Sequence, residues 1–105
     1  SYDKAIEFNP DSFKAWNSRG YLLVQLERDA EALTSFDRAL QIKSDYSTAY
    51  YNKAACYALQ GQSDAALENL QQAIKINPSH REEAQADPDF EALTKDRRFQ
   101  QEISR

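Results

Sequence analysis

Thirty-four residues separate two segments of this chain that read alike, and this period constrains the fold more than any other feature. Phe13–Tyr46 aligns with Ser47–His80 without a gap. Ala15 falls on Ala49, Ala32 on Ala66, Leu33 on Leu67, Ala39 on Ala73 and Ile42 on Ile76. Trp16 falls on Tyr50, Gly20 on Ala54 and Leu40 on Ile74. The opening segment joins the same register, with Ser1-Tyr2-Asp3-Lys4-Ala5-Ile6 reading against Ser35-Phe36-Asp37-Arg38-Ala39-Leu40. A sequence that repeats at this interval folds as stacked units, each burying its apolar face against the next.

The unit is helical. Ala32, Phe36, Ala39 and Leu40 follow the i, i+4, i+7, i+8 spacing of an amphipathic helix, and Trp16, Gly20 and Leu23 form its partner stripe. Gly20 and Ala54 are small, which lets paired helices approach closely. Only 2 Gly and 3 Pro occur in 105 residues, too little punctuation for an all-β fold. The spacing predicts helices near 2–8, 12–26, 30–43, 46–60 and 64–76. Asp29 and Ser63 are expected to cap the second helices, and Gly61 to take a positive φ at the turn before one of them. After Pro78 the period fades. Ser79-x-x-Glu82 predicts a capping box and a helix from about His80. Pro88 ends that helix and opens a short one over roughly 88–95, and Asp96 caps a last one to about Ser104.

These positions resemble the tetratricopeptide repeat (TPR) family. The first full copy supplies Trp16, Arg19-Gly20, Leu23, Ala32, Phe36 and Ala39. The second supplies Tyr50, Lys53-Ala54, Tyr57, Ala66, Leu70, Ala73 and Pro78, and the opening half copy Tyr2, Ala5 and Pro10. Arg19 and Lys53 stand where the family usually has Leu, and Ser44 replaces a closing Pro. The segment Asp87-Pro88-Asp89-Phe90 through Gln100 resembles the closing segment of some bacterial members. The resemblance implies an all-α, right-handed α-solenoid in one domain. Residues 1–12 would end a truncated repeat, 13–46 and 47–80 form two full repeats, and 81–105 form capping helices over the terminal apolar face.

It also implies a protein-binding module, in which the first helix of each pair lines a concave groove. Candidate groove residues are Lys14, Asn17, Ser18, Tyr21 and Gln25 in one repeat and Thr48, Tyr51, Asn52, Ala55 and Leu59 in the next. Asn17 and Asn52 can each donate and accept to a ligand backbone, and Tyr21 and Tyr51 offer flat apolar area with a polar tip. Neighbouring first helices about 8–10 Å apart would each address about three residues of an extended ligand. Arg19 and Lys53 are repeat-equivalent. They read either as a cationic ladder for an acidic ligand or as ion pairs with acids such as Asp37; the second is favoured, because a half-buried cation needs a partner. One known mode of the family grips a terminal carboxylate with Lys and Asn from the first repeat, Asn from the second, and Lys and Arg from the third. Asn52 matches the second-repeat Asn, but the remaining positions fall on Asn17, Tyr21, Glu82 and Ala86, none a cation.

Composition narrows the alternatives. With 13 Lys and Arg against 17 Asp and Glu the formal charge is −4, and no basic cluster exceeds Arg97-Arg98, which argues against nucleic acid. No apolar run is long enough to cross a bilayer, and no signal peptide is present. The lone Cys56 excludes an internal disulfide, and with no zinc spacing and no phosphate loop the expectation is a cytoplasmic protein without metal or cofactor. Cys56 has no evident acid or His partner in the sequence, His80 is expected to be exposed or capping, and no enzyme is expected. The chain contains no Met, so a piece of a longer protein is expected. Tyr2, Ile6 and Phe8 would then form an apolar stripe able to meet a preceding repeat or a second copy. Alternatives to peptide binding are a structural unit that self-associates through that stripe, and an accessory domain of a larger protein.

Overall fold

The computed structural model describes residues 12–104. The expected helix over 2–8, and with it Tyr2, Ile6 and Phe8, lies outside the described residues. Six α-helices are described: α1 Phe13–Gln25, α2 Asp29–Ile42, α3 Ser47–Leu59, α4 Ser63–Ile76, α5 His80–Ala86 and α6 Arg97–Ile103. A 3-10 helix over Pro88–Leu93 sits between the last two, and no strand occurs among the described residues. The first four helices start and stop within a residue or two of the boundaries expected from the apolar period.

α1 packs chiefly on α2 and α3 on α4, and the two hairpins stack through α2 against α3. One core cluster holds Leu23, Ala32, Phe36 and Cys56 between the hairpins. A larger one runs from Tyr51, Ala54 and Ala58 through Leu67, Leu70 and Ile74 to Phe90, Leu93 and Phe99 of the closing segment. Gly20 shows why a small residue is required in α1. A Cβ built there would lie 2.5 Å from Cε1 of the fully buried Phe36 ring. The repeat-equivalent residues in the second hairpin are Ala54 and Leu70, both fully buried in one core cluster: the methyl group gained on one helix accompanies a smaller side chain on the other.

Both hairpins turn by the same device. After α1, the N–H of Glu27 donates to the carbonyl of Val24 at 3.0 Å and that of Arg28 to Leu23 at 2.8 Å. After α3, Gly61 donates to Ala58 at 3.0 Å and Gln62 to Tyr57 at 2.9 Å. This pair of bonds is the Schellman motif, which places one residue in the left-handed region. That residue is Gly61, at φ 76° as expected, and its repeat-equivalent Glu27, at φ 60°. The motif also corrects the capping expectation. Arg28 and Gln62 occupy the N-cap positions without a side-chain cap, while Asp29 and Ser63 are already the first helical residues. A six-residue turn set by backbone bonds leaves no extra residue for a capping side chain. Glu27 bears a Cβ where only glycine is unstrained, so Glu27→Gly is expected to stabilise the protein by about 1 kcal/mol. Urea denaturation of both proteins checks this; a loss of stability would contradict the reading.

The closing segment is capped differently from the capping box expected. Ser79 makes no side-chain cap; instead Asn77 Oδ1 accepts from the Ser79 N–H at 3.1 Å and from its hydroxyl at 2.8 Å. Asp87 is extended, at φ −86° and ψ 116°, as expected before Pro88, and its carboxylate accepts from the Asp89 N–H. Asp96 caps α6 by accepting from the Arg98 N–H at 2.9 Å. The break at Asp87–Pro88 has a topological consequence. Instead of continuing as a regular third hairpin, the chain turns and lays the 3-10 helix against α3. Phe90 then packs edge-on to Tyr51 with ring centroids 5.4 Å apart, and stacks with Phe99 at 5.9 Å.

Candidate functional site

A cleft of about 420 Å³ opens between α1 and the closing segment. Tyr21, Val24 and Gln25 form the α1 wall, Tyr51, Asn52 and Ala55 of α3 reach its floor, and Glu83, Asp87, Pro88 and Asp89 form the opposite wall. The 34-residue offset explains the asymmetry. Tyr21 on α1 is 55% exposed, whereas its equivalent Ala55 on α3 is buried in the core cluster that includes the closing segment. The face that the repeat pattern presents on two helices is thus left open on one and covered on the other.

Of the twelve residues singled out from sequence, Tyr21, Gln25, Tyr51, Asn52 and Ala55 line this cleft. Asn17 is buried and accepts at 3.0 Å from the Asn52 amide, so the two asparagines form one bridge between α1 and α3. Lys14, Ser18, Arg19, Thr48, Lys53 and Leu59 are not among the lining residues. Lys14 and Leu59 are exposed, and Ser18 and Thr48 are half-buried. Lys53 bridges to Asp37 of α2 at 2.8 Å. Arg19 donates to Ser35 Oγ at 2.6 Å and lies over the Trp16 ring at 6.0 Å, among its contacts. These two cations are engaged with α2 and their own helix.

Tyr51 belongs to the protein's own packing. It is 4% exposed, and its hydroxyl donates to Asp87 Oδ2 at 2.7 Å. Burial first, then that hydrogen bond and the nearby carboxylates, hold its pKa far above the ordinary phenol value, so it remains a neutral donor. His80 departs from expectation. It is buried, with Nδ1 2.7 Å from Glu83 Oε1, Nε2 3.0 Å from Ser47 Oγ, and its ring stacked on Tyr51 at 4.9 Å. A carboxylate can only accept, so Nδ1 carries the proton toward Glu83. The stacking and the two polar partners let a His sit inside the junction where an exposed one was expected.

In sequence the paired acids Glu82-Glu83 and Asp87/Asp89 read as helix N-terminal charges, and nothing there shows that they share one wall. Pro88 flagged a break but not its direction, and the direction brings Glu83, Asp87 and Asp89 to one side of the cleft. Asp89 is half-buried, and its carboxyl pKa is raised by that burial and then by the charge of Asp87. The charged form is therefore disfavoured by folding at neutral pH. The penalty is absent below the unfolded pKa and fully present once pH has risen past the folded one. Asp89→Asn is accordingly expected to match or exceed the parent in stability at about pH 7 and to lose that advantage near pH 3. Urea midpoints at the two pH values check the sign.

Cys56 also acquires a partner not evident in the sequence: its thiol lies 3.9 Å from Asp29 Oδ1, and Gln60 Nε2 donates to its sulfur at 3.3 Å. Burial pushes the thiol pKa up, the Asp29 charge adds to this, and the Gln60 bond only partly opposes it. Folding thus favours the neutral form of this thiol in the hairpin interface. Among the described residues no group of three or more His, Cys, Asp and Glu could hold a metal ion, and no helix is long and apolar enough to cross a membrane.

Comparison with known proteins agrees with this architecture. Two family models described as "Tetratricopeptide repeat" match residues 1–34 and 47–80, and one described as "TPR repeat" matches 20–61. Protein STIP1 homolog of Dictyostelium discoideum is 26% identical over 81 residues, covering 77% of this chain and 14% of that protein. Human Protein O-mannosyl-transferase TMTC3 is 30% identical over 81 residues, covering 76% and 9%. Serine/threonine-protein phosphatase 5 of Rattus norvegicus is 25% identical over 103 residues, covering 98% and 21%. The chain thus spans at most about a fifth of each of these relatives, and the activities in their names are said of those whole proteins. All three are eukaryotic, so the bacterial likeness of the closing segment stays a resemblance of that segment alone. Matched by three models of one repeat over residues 1–80, and folded as stacked helical hairpins, the chain belongs to the tetratricopeptide repeat family, whose repeats support a protein–protein interaction role.

Proposed function

We propose that this chain is a non-catalytic binding module that takes a segment of a partner protein in the cleft between α1 and the closing segment. The observation that carries the reading is the open α1 wall. Tyr21 is 55% exposed beside half-buried Val24, facing a floor that holds Asn52, which the buried Asn17 anchors by a hydrogen bond. Tyrosine supplies large contact area at little conformational cost, which is why it anchors many interfaces. Asn52 lines the cleft and retains its amide oxygen, beyond the bond to Asn17, to meet a partner's backbone. Closure of the α3 face by the closing segment shortens the groove, so the partner contributes a short stretch rather than a long extended strand.

Tyr51 is unsuitable as a probe, because removing it strips the packing of the closing segment. Tyr21→Ala/Gln25→Ala changes only exposed side chains. In capture from the source cell, proteins retained by the parent are expected to be lost with this variant and kept with Glu68→Ala/Gln72→Ala on the exposed side of α4. Equal retention by both variants would place the interface elsewhere.

A further inference from the structure

We propose that the cleft selects a basic partner segment, seating a lysine or arginine side chain between Tyr21 and the Asp87–Asp89 turn. The inference rests on the cleft reading above and adds the chemistry of the partner. Every charged residue that lines the cleft is acidic: Glu83, Asp87 and Asp89. Two of these carboxylates already have partners. Glu83 Oε1 is bound to His80, and Asp87 uses Oδ2 for the Tyr51 hydroxyl and Oδ1 for the Asp89 N–H.

Asp89 differs. Its carboxylate has no hydrogen bond and no ion pair among the described residues, although it is half-buried beside a second carboxylate. A half-buried anion next to another anion is an unfavourable arrangement in isolation, which its raised pKa also reflects. A cation in the cleft removes the penalty and gains a charge-assisted bond. The facing wall completes the fit, because the exposed Tyr21 ring accommodates the aliphatic stem of a lysine or the plane of a guanidinium. A space of about 420 Å³ takes a few side chains of this size. The chain's own cation nearest in sequence to the floor, Lys53, is engaged by Asp37 and does not line the cleft. The polarity is opposite to that of a groove built to hold a carboxylate.

The test uses two fluorescein-labelled pools of short random-sequence peptides, one with lysine and arginine fixed at the centre and one with aspartate and glutamate fixed there. Both are titrated into the full chain, into Asp89→Asn, into Tyr21→Ala, and into Glu68→Gln as a control outside the cleft, each confirmed folded by circular dichroism. The basic pool is expected to bind the parent at least about 10-fold tighter than the acidic pool, and to weaken as salt rises. Asp89→Asn is expected to reduce basic-pool affinity about 3- to 10-fold without loss of stability, and Glu68→Gln to leave it unchanged. Equal binding of the pools, preference for the acidic pool, absence of binding by either, or indifference of the basic pool to Asp89→Asn would each overturn the proposal. Loss of both pools equally in Tyr21→Ala, without charge preference, would keep cleft binding and reject the basic partner. Indifference to Tyr21→Ala would reject the cleft itself.

Discussion

Replacing Phe90 by Ala is expected to lower the unfolding free energy by about 3–5 kcal/mol, the range for a fully buried aromatic side chain. Phe90 has no exposed surface, and its ring lies between Tyr51 of α3 and Phe99 of α6. With Leu93 and Phe99 it is one of the side chains through which the closing segment grips the second hairpin. Its loss opens a cavity between elements that are otherwise short: α5 and α6 have 7 residues each, and the 3-10 helix has 6. Helices of this length have no stability of their own and hold only through packing. Against a domain stability of about 5–15 kcal/mol the loss is severe. A second signature separates cap release from global weakening. If the closing segment detaches while the hairpins remain, the urea m-value falls, because Ala55, Ala58 and Tyr51 are already exposed in the partly open protein. A change below about 1 kcal/mol would contradict the packing role given to this ring.

Gly20→Ala carries the second large effect and runs against helix propensity. In an exposed helix interior the substitution would stabilise by about 1 kcal/mol. Here the new methyl meets the Phe36 ring at distances of 2.5 to 2.9 Å, and Phe36 is itself fully enclosed. Overpacking of this kind costs about 1–3 kcal/mol, so a net loss of up to about 2 kcal/mol is expected. The neighbouring hairpin supplies the remedy. Its equivalent pair is Ala54 and Leu70, so Gly20→Ala/Phe36→Leu rebuilds a combination that the fold already accommodates. The two changes are expected to couple favourably, with the double variant more stable than the sum of the single effects. Stabilisation by Gly20→Ala alone, or strict additivity, would show that Phe36 yields freely.

The repeat made much of this legible. Helix boundaries, the close approach at Gly20, the left-handed turn at Gly61 and the break at Pro88 all follow from local chemistry or from the period. The turn at Glu27 was hidden because glutamate gives no sign of a positive φ; only its equivalence to Gly61 reveals it. Asp29 and Ser63 misled as caps because a backbone motif had already closed the turn. The greatest gap lies in the closing segment. Local signals place its helices, but its path across α3 depends on contacts of Phe90 and Tyr51, residues 39 positions apart in the chain. Since that path forms one wall of the cleft, the burial of His80 and the gathering of Glu83, Asp87 and Asp89 could not be read from the sequence. The α1 wall could, because Tyr21 and Gln25 lie in the regular part of the repeat.

Binding in the cleft is tested most directly by site-specific photocrosslinking. A benzophenone side chain placed at position 21 in the open wall is compared with one at position 68 on the exposed side of α4, both irradiated in the source cell. Crosslinks to a discrete partner from position 21, mapped to a short stretch of that partner and absent from position 68, are the expected result. Crosslinks from position 68 with none from position 21 would contradict a partner held between α1 and the closing segment.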